Sequence, residues 1–358
     1  MKIEYWDTIT KNVKQISTER NINVGKFVDC IIEGHSIHYP QPLIKTEDKL
    51  ILPTIERFMS LGRGTVYEPE MKWNCTNMNV EKVEMTPVFY FVYNCANYFH
   101  WIYDTVPYLY SYFKEKERIP NLKILISPPD GESDLYPFVY GTLALLGITK
   151  DDLIFLDKGT IYKTIIIGSS LTHNRMSLDP PHSSVFDIMD SMSGIPSTAK
   201  RIYISRRTWT REKSDNIGTD YTAQRKCMNE DDVVELLQAY GFEEVFCEDL
   251  SMAGKIGLFR NAEFVVGPIG GGLANILFCK PETNVISINS PEFFPINERL
   301  KHALNHTKLD MFDDTEFVDR KTGIITGTNA LSISGGMNSP WKVDLNKLEI
   351  ILQKYLDK

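Results

Sequence analysis

From Thr86 onward the chain reads as short apolar runs alternating with amphipathic segments. Val88 to Tyr93, VFYFVY, is a continuous aromatic and β-branched run of strand type. Asn94 to Asn97 makes a turn, and Tyr98 to Tyr112 follows helical spacing, with Pro107 predicting a kink near Tyr103. Leu122 to Ser127 reads as a strand, Leu135 to Leu146 as a helix ended by Gly147, and Leu153 to Leu156 and Thr164 to Ile167 as further strands. Earlier in the chain, Val24 to Ile37 and Leu50 to Pro53 have strand character, while Pro40, Pro42, Pro53 and Pro69 break up any long element.

The second half repeats the alternation. A short helix is expected over Val185 to Met192 and a strand over Arg201 to Ser205. A helix follows from Glu230 to Tyr240, with Asn229 as its cap, then a strand over Glu243 to Cys247. Ser251 is placed to cap the next helix, which runs through Arg260. The tail from Val343 to Leu356 is amphipathic. Strands that alternate with helices imply parallel sheets, so the fold class is α/β. At 358 residues the chain is long for one domain. The pattern divides it into an N-terminal α/β domain (1–175), a linker rich in proline and serine (176–199), a Rossmann-like domain (200–335) and a closing helix (336–358).

The stretch Ala262 to Ile288, AEFVVGPIGGGLANILFCKPETNVISI, concentrates the chemistry of the second domain. It reads as strand, glycine loop, helix, strand, the unit that builds a parallel sheet. Gly270, Gly271 and Gly272 allow close approach of backbone to a ligand. With a helix over Leu273 to Cys279, the N–H groups of Gly272, Leu273 and Ala274 would stand unpaired and face an anion, and Asn275 lies in the same turn. The spacing is neither GxGxxG nor a Walker loop, so a plain tight turn is the competing reading.

Two further groups carry chemistry. RIYIS ends in Arg206 and Arg207, which places two guanidinium groups at the C-terminal edge of the sheet, where open α/β sheets bind ligands. A solvated basic loop is the alternative, since Arg211, Lys213, Arg225 and Lys226 are near in sequence. Glu230, at a helix start, complements the helix dipole or meets a ligand. In NYFHWIYDTVPYLY, His100 and Asp104 are spaced i, i+4 and share one helix face. A carboxylate there can orient an imidazole that accepts a proton; a structural pair is the other reading. Trp101 is read as core or as a surface for stacking a sugar.

Composition narrows the classes. A net charge of −8 argues against nucleic-acid binding and leaves only weak association with anionic membrane through a local patch. The N-terminus has no apolar signal region and no run reaches the ~20 apolar residues of a membrane span, so a cytoplasmic protein is expected. The six cysteines form no CxxC pair, which points to free thiols rather than a zinc site or disulfide scaffold. There is no Asp-x-Asp, the usual clamp for a metal–diphosphate pair, so no metal and no cofactor are expected.

Three stretches together resemble glycosyltransferase family 61, the group of capsular-polysaccharide and plant cell-wall type transferases. They are NYFHWIYDTVPYL, RIYISRR with NEDDVVELLQAYGFEEVF, and EDLSMAGKIGLFRNAEFVVGPIGGGLANILFCKP. Two departures stand out: the family usually shows Gly-Pro-His-Gly-Ala-Gly-Leu, and here Ile269 replaces the histidine and Gly271 the alanine. The resemblance implies two facing Rossmann-like domains, the GT-B arrangement, and inverting transfer from a nucleotide sugar, with UDP the expected nucleotide. It implies a donor held over Gly270 to Asn275 and Arg206, beside which Arg207 and Glu230 are read as further donor-side residues. It also implies a glycan or glycolipid acceptor approaching near His100 and Asp104, as in surface-polysaccharide synthesis at the inner face of the membrane, with Asn97 and Trp101 read as acceptor-side residues around that pair. Two rivals remain: an NAD-dependent α/β enzyme, which lacks its GxGxxG fingerprint here, and an inactive glycan-binding protein of the same fold, suggested by Ile269. NAD binding would favour the first, and turnover of a UDP-sugar would exclude the second.

Overall fold

The structure, a computed structural model, describes residues 2–7, 12–17, 22, 24–33, 43–46, 50–51, 81–91, 95–129, 131–157, 159–168, 171–172, 181–207, 226–290, 300, 309–318, 325–327 and 339–356. Outside these fall residues 34–37, 52–53 and 92–93 of the expected strands, residue 94 of the expected turn, residues 176–180 of the linker, and Arg211, Lys213 and Arg225. The chain forms two compact units, Met1–Ser191 and Met192–Lys358.

Unit 1 contains an antiparallel pair, β1 (Lys2–Asp7) with β2 (Asn12–Ser17), and a mixed eight-stranded sheet. The sheet's parallel part is built from β7 (Val88–Tyr90), β8 (Lys123–Ile126), β9 (Leu153–Phe155) and β10 (Thr160–Gly168). On the outer side of β10, β3 (Val24–Glu33), β4 (Leu43–Thr46) and β5 (Leu50–Ile51) continue it antiparallel, and β6 (Lys82–Glu84) pairs with the first residues of β10. Val88, Tyr90, Leu125, Ile165 and Ile167 are buried in one cluster, which explains their near-continuous apolar runs: parallel strands covered on both faces have no polar side. The chain lays β7, β8 and β9 down in one direction, then returns to put β10 on the other side of β7. The strand order reverses between β7 and β10, and such a reversal opens a crevice at the C-terminal strand ends.

The helical stretch after β7 is interrupted where proline predicts it. It comprises α1 (Tyr98–His100), a π-helix (Trp101–Thr105), a 3-10 turn (Val106–Tyr108) and α2 (Leu109–Arg118). Pro107 has no N–H to return to Tyr103, so the chain widens before it and the Val106 N–H reaches back to Trp101 O. The kink is therefore a π turn. Elsewhere in the unit, α3 (Pro137–Leu145) ends at Gly147, whose φ of 74° suits a helix C-terminus, and α4 is Ser184–Ser191.

Unit 2 is built on a five-stranded parallel sheet of β11 (Arg201–Ile204), β12 (Glu243–Val245), β13 (Phe264–Pro268), β14 (Asn284–Ile288) and β15 (Leu309–Phe312), in the order β12-β11-β13-β14-β15. This is a doubly wound order whose reversal lies between β11 and β13. A small antiparallel sheet of β16 (Thr315–Val318), β17 (Ile325–Gly327) and β18 (Trp341–Val343) follows. One face of the parallel sheet packs against α5 (Glu230–Ala239) and α7 (Leu345–Leu356), with Phe264, Val266, Ile286, Val233, Leu237, Leu348 and Leu352 in a common core. α6 (Met252–Asn261) packs on the 3-10 segment Gly272–Phe278. Ser251 caps α6 as expected, its Oγ accepting from Gly254 N at 3.1 Å. Asn229 does not cap α5. Its amide instead bonds both backbone groups of Val343, each at 2.9 Å, and ties the start of α5 to β18. Among the described residues no helix is long and apolar enough to cross a membrane.

Candidate active site

In unit 1 the candidate pair lies just past the C-terminal end of β7. His100 Nδ1 stands 2.7 Å from Asp104 Oδ2. Asp104 is completely buried, whereas the His100 side chain keeps about a quarter of its surface exposed, 24%. An ionised carboxylate only accepts, so Nδ1 carries the proton and donates, and Nε2 is left as the basic nitrogen. Asp104 Oδ1 also accepts from Thr172 Oγ1 at 3.2 Å. Sequence reasoning missed Thr172, which is 68 positions away with no local signal; only its place four residues past β10, the strand on the other side of the reversal, could have pointed to it.

Asn97 and Trp101 support this pair. Asn97 is the N-cap of α1, its Oδ1 accepting from Phe99 N at 3.0 Å and His100 N at 3.4 Å. That fixes the backbone under the imidazole. Trp101 is fully buried; its indole N–H donates to Thr142 Oγ1 at 3.1 Å and its ring packs near Phe91. With no exposed face it cannot stack on a sugar, so the stacking expectation is replaced by a structural one.

In unit 2 the two arginines part company just past the end of β11. Arg206 is buried at the reversal point, and its Nη1 donates to Ile269 O at 3.0 Å, joining the end of β11 to the end of β13. Burial lowers its pKa from the usual arginine value, and nearby Glu230 works against that shift. Glu230 is almost wholly buried, and its Oε1 accepts from Tyr203 Oη at 3.0 Å, Ser205 Oγ at 3.3 Å and Arg206 N at 2.6 Å. Burial raises its pKa and these bonds oppose the rise. Glu230 therefore sits beneath Arg206 and holds it. Arg207 donates to both carboxylate oxygens of Glu244, at 2.9 and 2.5 Å, and to Asp231 at 2.6 Å. Those bonds raise its pKa, and its fork is already committed to acids rather than set for a phosphate.

The glycine loop lies beside Arg206. A Cβ on Gly270 would stand 2.9 Å from Arg206 Nη1, and one on Gly272 would stand 2.7 Å from Ile204 Cγ2. The absence of side chains lets the loop lie against both. The segment after it is a 3-10 helix rather than the expected α-helix. Its i→i+3 bonds begin a residue earlier, so Leu273 N donates to Gly270 O at 3.1 Å and Ala274 N to Gly271 O at 3.2 Å. These two N–H groups are engaged, contrary to expectation. Asn275 is buried and its Nδ2 donates to Gly272 O at 2.8 Å, bracing the loop. Ile269, at the position of the expected histidine, turns its side chain inward and supplies the carbonyl that receives Arg206.

Each unit is thus an α/β body with polar groups gathered at the reversal of its strand order, the arrangement of a ligand-binding enzyme. The family model described as Glycosyltransferase 61 matches residues 98–286, more than half of the chain, and the chain belongs to that family. Its activity class is glycosyl transfer, with a sugar donor and a glycan acceptor. No curated protein matches the chain.

Proposed function

We propose that the protein is an inverting, metal-independent glycosyltransferase of the GT-B kind, which moves a sugar from a UDP-sugar to a hydroxyl of a glycan or glycolipid in surface-polysaccharide synthesis at the cytoplasmic face of the membrane. The observation that carries the reading is the His100–Asp104 pair, a buried carboxylate holding a partly exposed imidazole by its Nδ1 at 2.7 Å. In the proposed step the acceptor hydroxyl gives its proton to His100 Nε2 while its oxygen bonds to the anomeric carbon. The bond from that carbon to the diphosphate breaks, and the electron pair leaves with UDP. Single displacement inverts the anomeric centre. Asp104 stabilises the imidazolium without touching the acceptor. On the donor side, Arg206 and the glycine loop answer the charge that develops on the leaving diphosphate.

The test is turnover of a panel of UDP-sugars by the purified protein, followed as UDP release with and without glycan acceptors. Arg206→Ala removes a charge-assisted bond worth about 1.5–3 kcal/mol, so UDP affinity by calorimetry drops about tenfold to a hundredfold. Unchanged affinity would remove Arg206 from the donor site. Turnover is also expected to survive EDTA, because no Asp-x-Asp is present to hold a metal on the diphosphate. Activity lost in chelator and regained with Mn²⁺ would overturn the metal-independent route.

A further inference from the structure

Asp104 can hold His100 only if it is itself held. A carboxylate with no exposed surface has lost its water, and buried polar oxygens require donors in place of it. One oxygen faces His100 Nδ1 and the other accepts from Thr172 Oγ1. Thr172 is buried too, with 1% of its surface exposed, so its hydroxyl is directed inward rather than to solvent. These bonds approach the carboxylate from elements that follow different strands. His100 and Asp104 lie on the helix after β7, and Thr172 follows β10. Those strands are neighbours across the reversal of strand order, with Ile165 and Ile166 opposite Val88 and Phe89.

We infer that Thr172 is a positioning residue for the transfer reaction: its hydroxyl clamps the Asp104 carboxylate across the reversal point and so fixes the tautomer and orientation of His100. The inference rests on the reading of His100 as base, which lies beyond what the hydrogen bonds alone assign. Rotation of the carboxylate about χ2 moves the direction in which it accepts from Nδ1. The Thr172 hydroxyl bonds Oδ1 and resists that rotation, and the imidazole follows the carboxylate plane, as outer partners orient a histidine ligand in other sites. The π-helix adds rigidity from below through the Trp101–Thr142 bond. Asp104 and Thr172 are both buried, so loss of their bond is expected to act on kcat and leave substrate affinity alone.

Thr172→Val removes the hydroxyl and keeps the shape; Thr172→Ser keeps the hydroxyl. The first measurement needs no substrate. In protein labelled with ¹⁵N-histidine, the His100 Nδ1–H gives a downfield proton signal in wild type that persists in Thr172→Ser and is broadened or lost in Thr172→Val. The second is UDP release from UDP-glucose, UDP-N-acetylglucosamine or UDP-xylose, whichever wild type turns over. Thr172→Val should lose about tenfold to a hundredfold in kcat, the worth of one hydrogen bond to a charged group, with KM and UDP affinity unchanged. Thr172→Ser should regain most of it. Because both residues act as one unit, Thr172→Val should add nothing to His100→Ala. A valine variant with a normal Nδ1–H signal and normal kcat overturns the inference. So does a serine variant as impaired as valine, which would make the role one of packing. His100→Ala with normal turnover defeats the base assignment instead, and His100→Ala inactive beside a normal Thr172→Val defeats the positioning role alone.

Discussion

His100→Ala should lower turnover per folded molecule by about 10²–10⁴-fold, the usual worth of a positioned general base, and leave UDP binding where it was. The expectation comes from exposure. Asp104 has no surface to offer an acceptor hydroxyl, while His100 keeps 24% of its side chain exposed. Asp104→Asn tests the order of roles. An asparagine can still turn its carbonyl oxygen toward Nδ1, so this variant should retain more activity than His100→Ala. If the aspartate were itself the base, asparagine would be the more damaging change. Folded fraction must be measured alongside, because a purely structural pair makes a different prediction: both variants melt earlier, and what remains folded turns over at nearly the wild-type rate. That outcome would end the catalytic reading of the helix after β7.

Gly257→Ala should destabilise the protein strongly. Gly257 lies in the middle of α6, where the chain at Gly194 and Ile195 crosses the helix with backbone against backbone. A Cβ on Gly257 would stand 1.6 Å from Ile195 O, and one on Gly194 would stand 2.4 Å from Gly257 N. Ile195 N also donates to Ala253 O at 2.8 Å, so the crossing segment cannot slide without breaking that bond. Overpacking costs about 1–3 kcal/mol when side chains can yield, and backbone yields less, so at least the upper figure is expected here. For a unit of this size that corresponds to a fall in Tm of roughly 6–12 °C. Gly254→Ala on the same helix is the control. Its Cβ would meet Ser251 Oγ at 3.3 Å and Leu250 Cβ at 3.7 Å, and a helical glycine replaced by alanine gains about 0.5–1 kcal/mol, so little net change is expected. Equal melting of Gly257→Ala and wild type by calorimetry would show that the crossing is looser than this geometry.

The α/β class, the register of alternation and most element positions were legible in the chain because they depend on neighbours a few residues apart. VFYFVY announces a buried strand, Ser251 a helix start, and Pro107 a defect that the chain resolves as a π turn. The His100–Asp104 pair was legible for the same reason, since four residues on a helix share a face. Antiparallel β3 to β5 beside the parallel strands was not, because strand pairing is a choice among distant segments. The same limit governs the sites. Arg206 and Arg207 are equivalent in sequence, and only Glu244, Asp231 and Ile269 decide that one is neutralised while the other bridges two strand ends. The glycine run was visible, but whether Leu273 and Ala274 offer free N–H groups turned on a 3-10 rather than an α winding. Which of two paired residues faces solvent, and that Thr172 reaches the buried one from 68 positions away, are properties of packing. Local pattern thus determined the elements and the chemical types near each strand end. The tertiary structure decided which groups are buried, which are already partnered, and therefore which remain to act.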